Sequence, residues 1–317
     1  MSARLRVLVT DHPWPGLEIE RALWEPQGIE VVDAPEDSTE TLAALARDVD
    51  AIVVCWAPIR ASVIAAATRC RLIARLGIGL DNIDIPAATR NGMLVTNVPD
   101  YCVEEVADHA LALLLSWARN ITWFDRQAKQ GIYDLAAAPP MRRLETQTLG
   151  LLGLGRIGRV TAAKARGLGL RVLAHTRSGQ VHRSDVEAVS WRELLSQSDY
   201  LCLHAPLTPE TTRIINPESL RLMKPTAILI NTSRGGLIDE SALWEAISSG
   251  RLAGAALDVF QPEPPDLSQP LFQHERVIVT PHAAFVSVEA VTELRQRTAL
   301  QVLDALSGRT PENVVNR

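Results

Sequence analysis

The sequence predicts an α/β protein that contains two doubly wound parallel-sheet domains. Short apolar runs alternate with helical stretches along most of the chain, a pattern typical of a parallel sheet with helices on both faces. The chain has 317 residues, which favours two domains over a single core. A glycine-rich turn near the middle, from Gly153 to Gly158, joins an apolar strand to a helix.

The composition argues against several classes of partner. A hydrophobic fraction of 47% and a charged fraction of 22% are typical of soluble globular proteins. The net charge of -5, without basic runs, gives no reason to expect nucleic acid or an acidic membrane surface as partner. No apolar run reaches the ~18 residues of a membrane span, and no leader-type apolar segment begins the chain. Four dispersed cysteines without a C-x-x-C pair predict reduced thiols, no metal site and a cytoplasmic location.

The first hundred residues predict an α/β unit of four strands. The strands are expected at 5–9, 29–32, 51–55 and 71–76, with helices at 17–25, 39–47 and 59–68. The turn Gly77-Ile78-Gly79 follows the fourth strand, where backbone N–H groups can bind a substrate carboxylate; a turn that needs positive φ explains the glycines equally well. Trp56 follows the third strand, and pocket lining and simple packing are equally good explanations for it.

A nearly apolar helix is predicted at 103–117, after a break at 97–100. Because one domain face cannot cover such a helix, we expect it to lie between domains or in a subunit interface, and we expect a homodimer. An irregular stretch at 133–143 contains Pro139 and Pro140 and indicates a domain boundary.

The glycine-rich turn has the spacing G-x-G-x-x-G. Gly153 permits the tight turn, Gly155 lets a pyrophosphate approach the backbone, and Gly158 lets helix and strand pack closely. The N-terminus of the helix that follows offers unpaired N–H groups and a partial positive charge. A strand precedes the turn, a helix follows it, and a second strand comes next at 171–175. In this context the turn predicts a dinucleotide site.

The second half continues the alternation. Strands are expected at 171–175, 200–204, 227–231, 253–259 and 277–280, and helices at 191–196, 217–222 and 240–249. A long amphipathic helix at 288–306 is expected to return to the first domain, which lacks a closing helix.

Three residues that follow strands carry acid, base or anion-binding chemistry. Arg234 suits a carboxylate ligand, because its planar guanidinium binds two oxygens at once. Glu263 and His282 form a combination suited to proton transfer near neutral pH. Their spacing alone leaves open that they are unrelated surface residues.

Five motifs in order resemble the D-isomer-specific 2-hydroxyacid dehydrogenase family over nearly the whole chain. They are R-L-G-I-G-L-D-N-I-D, N-V-P-D-Y-C-V-E-E-V-A-D-H-A, G-L-G-R-I-G, N-T-S-R-G-G-L-I-D and T-P-H-A-A-F. Two of these versions are most similar to the branch that resembles C-terminal-binding proteins. The resemblance implies a Rossmann-type cofactor domain, residues 100–288, inserted in a flavodoxin-like substrate domain, residues 1–99 plus 289–317.

The resemblance also implies roles for matching residues. Arg234 holds the substrate's carboxylate and carbonyl, His282 is the general acid/base, and Glu263 orients it. Gly77, Ile78 and Gly79 supply backbone donors to the substrate carboxylate. Trp56 is predicted on the substrate side from its position after the third strand alone. Together, the residue patterns and the resemblance predict a larger set of cofactor contacts, in which Thr176, Arg177 and Ser178 are included for their position after the strand at 171–175 and not for a match to the family. The set is Gly153, Gly155, Arg156, Ile157, Gly158, Thr176, Arg177, Ser178, Pro206, Thr232, Ser233, Asp258, His282 and Ala284. A structural role is expected for His109, and His204 is expected to lie near the cofactor.

The end of the strand at 171–175 departs from the NAD-using pattern. An acidic residue that binds the ribose hydroxyls is usual there, but this chain has Thr176, Arg177 and Ser178. A hydroxyl group and an arginine suit a 2′-phosphate, so we expect NAD(P)(H) as cofactor with NADP(H) favoured. A relaxed NAD(H) site with a solvated arginine is the alternative.

We therefore expect an oxidoreductase that transfers a hydride between NAD(P)H and a small 2-oxo acid or D-2-hydroxy acid of the glyoxylate or hydroxypyruvate type. The alternative is a dinucleotide-sensing scaffold that resembles C-terminal-binding proteins. The sequence does not identify the acid or the direction of the reaction.

Overall fold

The computed structural model describes residues 4–136, 138–180 and 185–317. The chain forms two compact units, one of Met1–Tyr101 with Ser287–Arg317 and one of Cys102–Val286. The stretch at 133–143 lies inside the second unit, so the prediction of a domain boundary there is wrong. The helix at Val103–Ala118, which precedes this stretch in the chain, already packs into the core of the second unit.

A parallel sheet organises the first unit, and its order among the described residues is β2-β1-β3-β4-β5. This is the flavodoxin-like order, which agrees with the predicted fold class. The strands are β1 (Arg6–Val9), β2 (Glu30–Asp33), β3 (Ala51–Val54), β4 (Leu72–Arg75) and β5 (Leu94–Thr96). The helices are α1 (Glu18–Trp24), α2 (Thr39–Leu45), α3 (Ala61–Ala66) and α4 (Ile85–Arg90), with short 3-10 turns at Glu25–Gln27 and Ala46–Asp48.

The sequence did not predict β5 and α4, which are both short. β5 pairs with β4 on one side, and on the other the N–H of Val315 donates to the carbonyl of Val95 at 2.9 Å. The side chain of Asn316 also accepts the N–H of Val95 at 2.7 Å. These partners are distant in sequence, so no local pattern marks the strand.

A second parallel sheet organises the other unit, with the order β12-β11-β10-β9-β6-β7-β8 in the described ranges. From β6 onward this is the Rossmann order, extended by one strand, and it confirms the predicted fold class. The helices are α5 (Val103–Ala118), α6 (Ile121–Lys129), α7 (Arg156–Gly167), α8 (Trp191–Gln197), α9 (Pro217–Leu222), α10 (Glu240–Ser248) and α11 (Pro270–Gln273). The strands are β6 (Thr148–Leu152), β7 (Arg171–His175), β8 (Glu187–Ala188), β9 (Tyr200–Leu203), β10 (Ile228–Asn231), β11 (Gly254–Leu257) and β12 (Val277–Val279), with 3-10 turns at Leu144–Thr146 and Gly235–Leu237.

Helix α5 is part of the core of the second unit. Its residues Ala110, Leu111 and Leu114 belong to the same buried cluster as Leu149 and Leu151 of β6. The apolar surface that suggested a homodimer is therefore covered largely within the chain. The reason given for a homodimer in the sequence analysis is wrong, although the oligomeric state itself is a separate question.

The chain returns to the first unit through α12 (Val288–Leu306). The indole N–H of Trp24 on α1 donates to the carbonyl of Ala299 at 3.0 Å. Arg295 forms a buried ion pair with Glu20 at 2.6 Å, which fixes α12 against α1. A buried charge of this kind is tolerated because it is paired and hydrogen-bonded.

The cysteines Cys55, Cys70, Cys102 and Cys202 are buried and form no disulfide among the described residues. Burial raises the pKa of the thiols of Cys55, Cys70 and Cys202 to about 12, so they stay protonated as core side chains. In the described ranges, no cluster of His, Cys, Asp and Glu could ligate a metal ion. No helix in those ranges is both long enough and apolar enough to cross a bilayer.

Candidate active site

The glycine-rich turn lies where β6 ends and α7 begins. A Cβ on Gly153 would lie 2.6 Å from the carbonyl oxygen of His204, and one on Gly158 would lie 2.5 Å from the carbonyl oxygen of Gly153. Any side chain at either position would collide with backbone. A Cβ on Gly155 would meet nothing within 4 Å, so the space above the helix N-terminus is open. Arg156 is exposed and Ile157 is half-buried in the first turn of α7.

Two polar side chains at the carboxyl ends of β9 and β10 point to a polar ligand. Both ring nitrogens of His204 and the hydroxyl of Thr232 are buried without a hydrogen-bond partner in the described structure. Burial lowers the pKa of His204 to about 4, so its ring is neutral. Buried polar atoms without partners are rare, and the backbone of His204 lies against Gly153 of the glycine turn. The site therefore fits a dinucleotide.

The residues after β7 leave hydroxyl groups and one cation at the surface. Thr176 Oγ1 donates to the carbonyl of Gln180 at 3.0 Å, and Ser178 Oγ accepts the N–H of the same residue at 3.3 Å. The side chain of Arg177 is exposed. Glu210 was not predicted from the sequence; its pKa is lowered by a hydrogen bond from Thr208 and, to a smaller extent, by the charge of Arg177.

Arg234 follows β10 on a turn that side chains hold in place. The amide of Asn231 donates to the carbonyl of Arg234 at 2.8 Å and accepts the N–H of Ser233 at 3.0 Å. The Ser233 hydroxyl donates to the carbonyl of Leu203 on β9 at 2.7 Å. A Cβ on Gly235 would lie 2.0 Å from the carbonyl carbon of Phe260, so only glycine permits this close approach. Arg234 itself is half-buried.

Glu263 and His282 lie together, 2.7 Å apart between Oε2 and Nδ1. The other carboxylate oxygen of Glu263 accepts the N–H of Phe260 at 2.8 Å. Burial by itself raises the pKa of Glu263. The hydrogen bond and charge of His282, the Phe260 N–H and the charge of Arg234 lower it by more, so the pKa lies below its ordinary value. Glu263 is therefore ionised at neutral pH. The three residues singled out in the sequence are thus parts of one electrostatic cluster.

Asp258 and Ala284 are hydrogen-bonded to each other next to His282. The Asp258 side chain is fully buried, and its carboxylate accepts the hydroxyl of Thr280 at 2.5 Å and the N–H of Ala284 at 3.0 Å. His109 Nε2 lies 3.0 Å from the Thr280 hydroxyl. The role of His109 in this network was not evident from the sequence, which showed only a histidine on an apolar helix. Pro206 is exposed on the loop after β9, and its carbonyl accepts the hydroxyl of Thr211 at 2.7 Å.

The substrate-side residues predicted from the sequence lie in the first unit. Asp11 accepts the N–H of Cys55 at 3.0 Å and those of Trp56 and Ala57, which fixes the turn after β3. The Trp56 side chain is exposed.

The turn after β4 begins with Gly77 at φ +148°. A Cβ there would lie 2.7 Å from the guanidinium of Arg75, a buried side chain that the sequence analysis missed although it ends an otherwise apolar strand. The carbonyl of Ile78 accepts the amide of Asn97 at 2.8 Å, and Gly79 is partly exposed.

Known proteins resemble this chain over most of its length. Residues 111–284 match the model of the D-isomer specific 2-hydroxyacid dehydrogenase NAD binding domain. A glyoxylate reductase of Korarchaeum cryptofilum is 39% identical over 295 residues, which cover 90% of this chain and 88% of the relative.

Two solved structures share the fold over almost their whole length. D-lactate dehydrogenase of Aquifex aeolicus, complexed with NAD and lactic acid, has a TM-score of 0.89 and 26% identity, covering 98% of this chain and 99% of its own. An NADPH-dependent glyoxylate/hydroxypyruvate reductase of Sinorhizobium meliloti, in complex with NADP and malonate, has a TM-score of 0.85 and 29% identity. The match covers 99% of this chain and 97% of the reductase.

Proposed function

Because the chain belongs to the D-isomer-specific 2-hydroxyacid dehydrogenase family, whose members are NAD(P)-dependent enzymes, we propose that it reduces a small 2-oxo acid of the glyoxylate or hydroxypyruvate type to the D-2-hydroxy acid. The observation that supports this most strongly is the 2.7 Å hydrogen bond between His282 and Glu263, whose pKa also responds to the charge of Arg234. An acid/base pair next to a fixed cation suits the reduction of a carbonyl group beside a carboxylate.

Arg234, His282 and Glu263 have separate roles in this proposal. When bound, a nicotinamide dinucleotide would provide the hydride for the carbonyl carbon. Arg234 binds the substrate carboxylate through its planar guanidinium and stabilises the negative charge that develops on the carbonyl oxygen. His282 donates the proton to that oxygen through Nε2, because Nδ1 is bound to Glu263. Ionised Glu263 holds the imidazole ring in this orientation.

We assign the second unit to the dinucleotide and the first unit, through Trp56 and the turn Gly77-Ile78-Gly79, to the substrate. Fit to the dinucleotide is supported by the backbone contacts that Gly153 and Gly158 allow and by the unpartnered polar atoms of His204 and Thr232. In this proposal, Arg156 and Ile157 lie at the pyrophosphate. The remaining contacts of this proposal are Gly155, Pro206, Ser233, Asp258, His282 and Ala284.

NADP(H) is the proposed preferred cofactor. Thr176, Arg177 and Ser178 offer two hydroxyl groups and a cation where NAD-using members have a carboxylate. Glu210 opposes this preference, because its carboxylate lies close enough to interact with Arg177. The expected preference is therefore moderate.

A spectrophotometric screen tests the proposed activity. NADPH and NADH are each combined with glyoxylate, hydroxypyruvate, pyruvate and bulkier 2-oxo acids, and absorbance at the nicotinamide band is followed. Turnover with at least one small 2-oxo acid is expected. Tight dinucleotide binding without turnover on any acid would favour the dinucleotide-sensing scaffold instead.

We also propose a homodimer in the cytoplasm. Ile121, Tyr133 and Leu135 expose large apolar side chains on and after α6, and Tyr133 is 103% exposed. Large exposed apolar side chains of this kind are common in protein interfaces. Light scattering at micromolar concentration tests this, and a stable monomer would contradict it. The buried, protonated cysteines support a reducing compartment.

A further inference from the structure

We infer that His109 and Thr280 are positioning residues for His282, acting through the buried carboxylate of Asp258. The inference rests on the proposed role of His282 as acid/base. All four residues belong to the second unit. They join the middle of α5 to the carboxyl ends of β11 and β12.

The backbone at His282 needs external support. Its φ of +51° lies in the left-handed region, which residues other than glycine rarely adopt. Such a conformation persists only where the surroundings impose it. Neighbouring residues must therefore hold the turn that carries the imidazole ring.

Asp258 supplies that support with three acceptor atoms. Its backbone carbonyl accepts the N–H of His282 at 2.8 Å, Oδ1 accepts the N–H of Ala283 at 2.9 Å, and Oδ2 accepts the N–H of Ala284 at 3.0 Å. Three successive N–H groups of the turn thus end on one residue. A shift of the Asp258 carboxylate would therefore move the backbone on which His282 is mounted.

The carboxylate is itself held by Thr280. The Thr280 hydroxyl donates to Asp258 Oδ1 at 2.5 Å, which uses its only proton. Toward His109 Nε2, at 3.0 Å, the same hydroxyl must accept. His109 Nε2 therefore carries a proton, and it also lies 3.5 Å from Asp258 Oδ1.

Helix α5 holds the backbone of His109 in a fixed position. The next residue, Ala110, and Leu113 one turn later are buried in the cluster that includes β6. The ring of His109 is therefore directed at Thr280 from a packed helix. A fully buried carboxylate is costly unless its hydrogen bonds are satisfied, and this arrangement satisfies those of Asp258.

Four variants test the inference. Thr280→Val and His109→Leu remove the hydroxyl and the ring donor, whereas Thr280→Ser and His109→Gln keep a donor. We expect kcat about 30-fold lower in the first two, which corresponds to ~2 kcal/mol. Thr280→Ser and His109→Gln should recover most of kcat. Thr161→Val is the matched control, because this buried hydroxyl donates only to the carbonyl of Ile157 in its own helix.

A second measurement does not depend on turnover. The ¹⁵N signal of His282 Nδ1 in the free protein, identified by its loss in His282→Gln, reports the hydrogen bond to Glu263. We expect it to shift in Thr280→Val and His109→Leu and to stay in place in Thr161→Val.

Unchanged kcat and an unchanged His282 signal in Thr280→Val and His109→Leu would overturn the inference. Equal losses in Thr161→Val would overturn it as well, because they would indicate general destabilisation. A wild-type protein that turns over no 2-oxo acid, but whose His282 signal shifts in the two variants, would refute the proposed function and still support the positioning of His282.

Discussion

Glu263 binds His282 Nδ1 with one carboxylate oxygen at 2.7 Å and the N–H of Phe260 with the other at 2.8 Å. Both oxygens are therefore used, and the carboxylate cannot rotate without losing a bond. Because Glu263 binds Nδ1, the ring orientation is fixed and proton transfer is expected from Nε2. The first prediction follows from this arrangement.

His282→Gln should lower kcat by about 10²–10⁴, the typical loss on removing a general acid, while dinucleotide binding stays normal. Glu263→Gln should cause a smaller loss of kcat, because the proton donor remains but its charged partner is gone. Steady-state kinetics with the best 2-oxo acid and fluorescence titration with NADPH measure both effects. Glu218→Gln on α9 is a matched control. Near wild-type turnover in His282→Gln would show that the proton comes from another group.

Arg177→Ala should weaken NADPH binding and leave NADH nearly unchanged. A charge-assisted hydrogen bond to the 2′-phosphate contributes ~1.5–3 kcal/mol, or about tenfold or more in affinity. Glu210→Gln should strengthen NADPH binding several-fold, because it removes a carboxylate that interacts with Arg177. Isothermal titration with both cofactors measures this, with the exposed Arg90→Ala as control. Equal losses for NADPH and NADH in Arg177→Ala would reject the assigned contact.

Gly158→Ala and Gly155→Ala should separate folding from cofactor binding. A Cβ at position 158 would lie 2.5 Å from the carbonyl oxygen of Gly153, so we expect the free protein to lose about 1–3 kcal/mol. A Cβ at position 155 meets nothing within 4 Å and occupies the space proposed for the pyrophosphate. Gly155→Ala should therefore keep the unfolding free energy and weaken dinucleotide binding. Urea unfolding and cofactor titration of both variants test this, and strong dinucleotide binding by Gly155→Ala would place the pyrophosphate elsewhere.

His204 should make the protein less stable in mild acid. Burial lowers its folded-state pKa to about 4, while the unfolded chain titrates near ~6.5. Between these values the unfolded state binds the proton and the folded state does not, so stability falls as pH decreases through this window. The wild type should lose about 1–2 kcal/mol more between pH 7 and pH 5 than His204→Leu does.

Urea unfolding at the two pH values measures this difference. Glu263 does not interfere, because its lowered pKa contributes stability that is lost only as the pH falls below about 4.5. Parallel slopes for wild type and His204→Leu would mean that the ring is protonated in the folded state at pH 5.

The sequence by itself predicted the features whose causes are local. Buried strands such as β6 are continuous apolar runs, and the spacing of Gly153, Gly155 and Gly158 follows from the shape of one turn. Both are visible within a few residues. The resemblance to a family added Arg234, Glu263 and His282, which spacing alone left unconnected.

Tertiary structure decided the features that depend on distant partners. The three-residue strand β5 exists because β4 and Val315 pair with it. The apolar helix α5 is buried largely against β6 within the same chain. The connection from His109 to Asp258 through Thr280 spans three elements far apart in sequence. These hydrogen bonds form only when the folded sheet and helix bring the three side chains together, and neither periodicity nor a local motif predicts that contact.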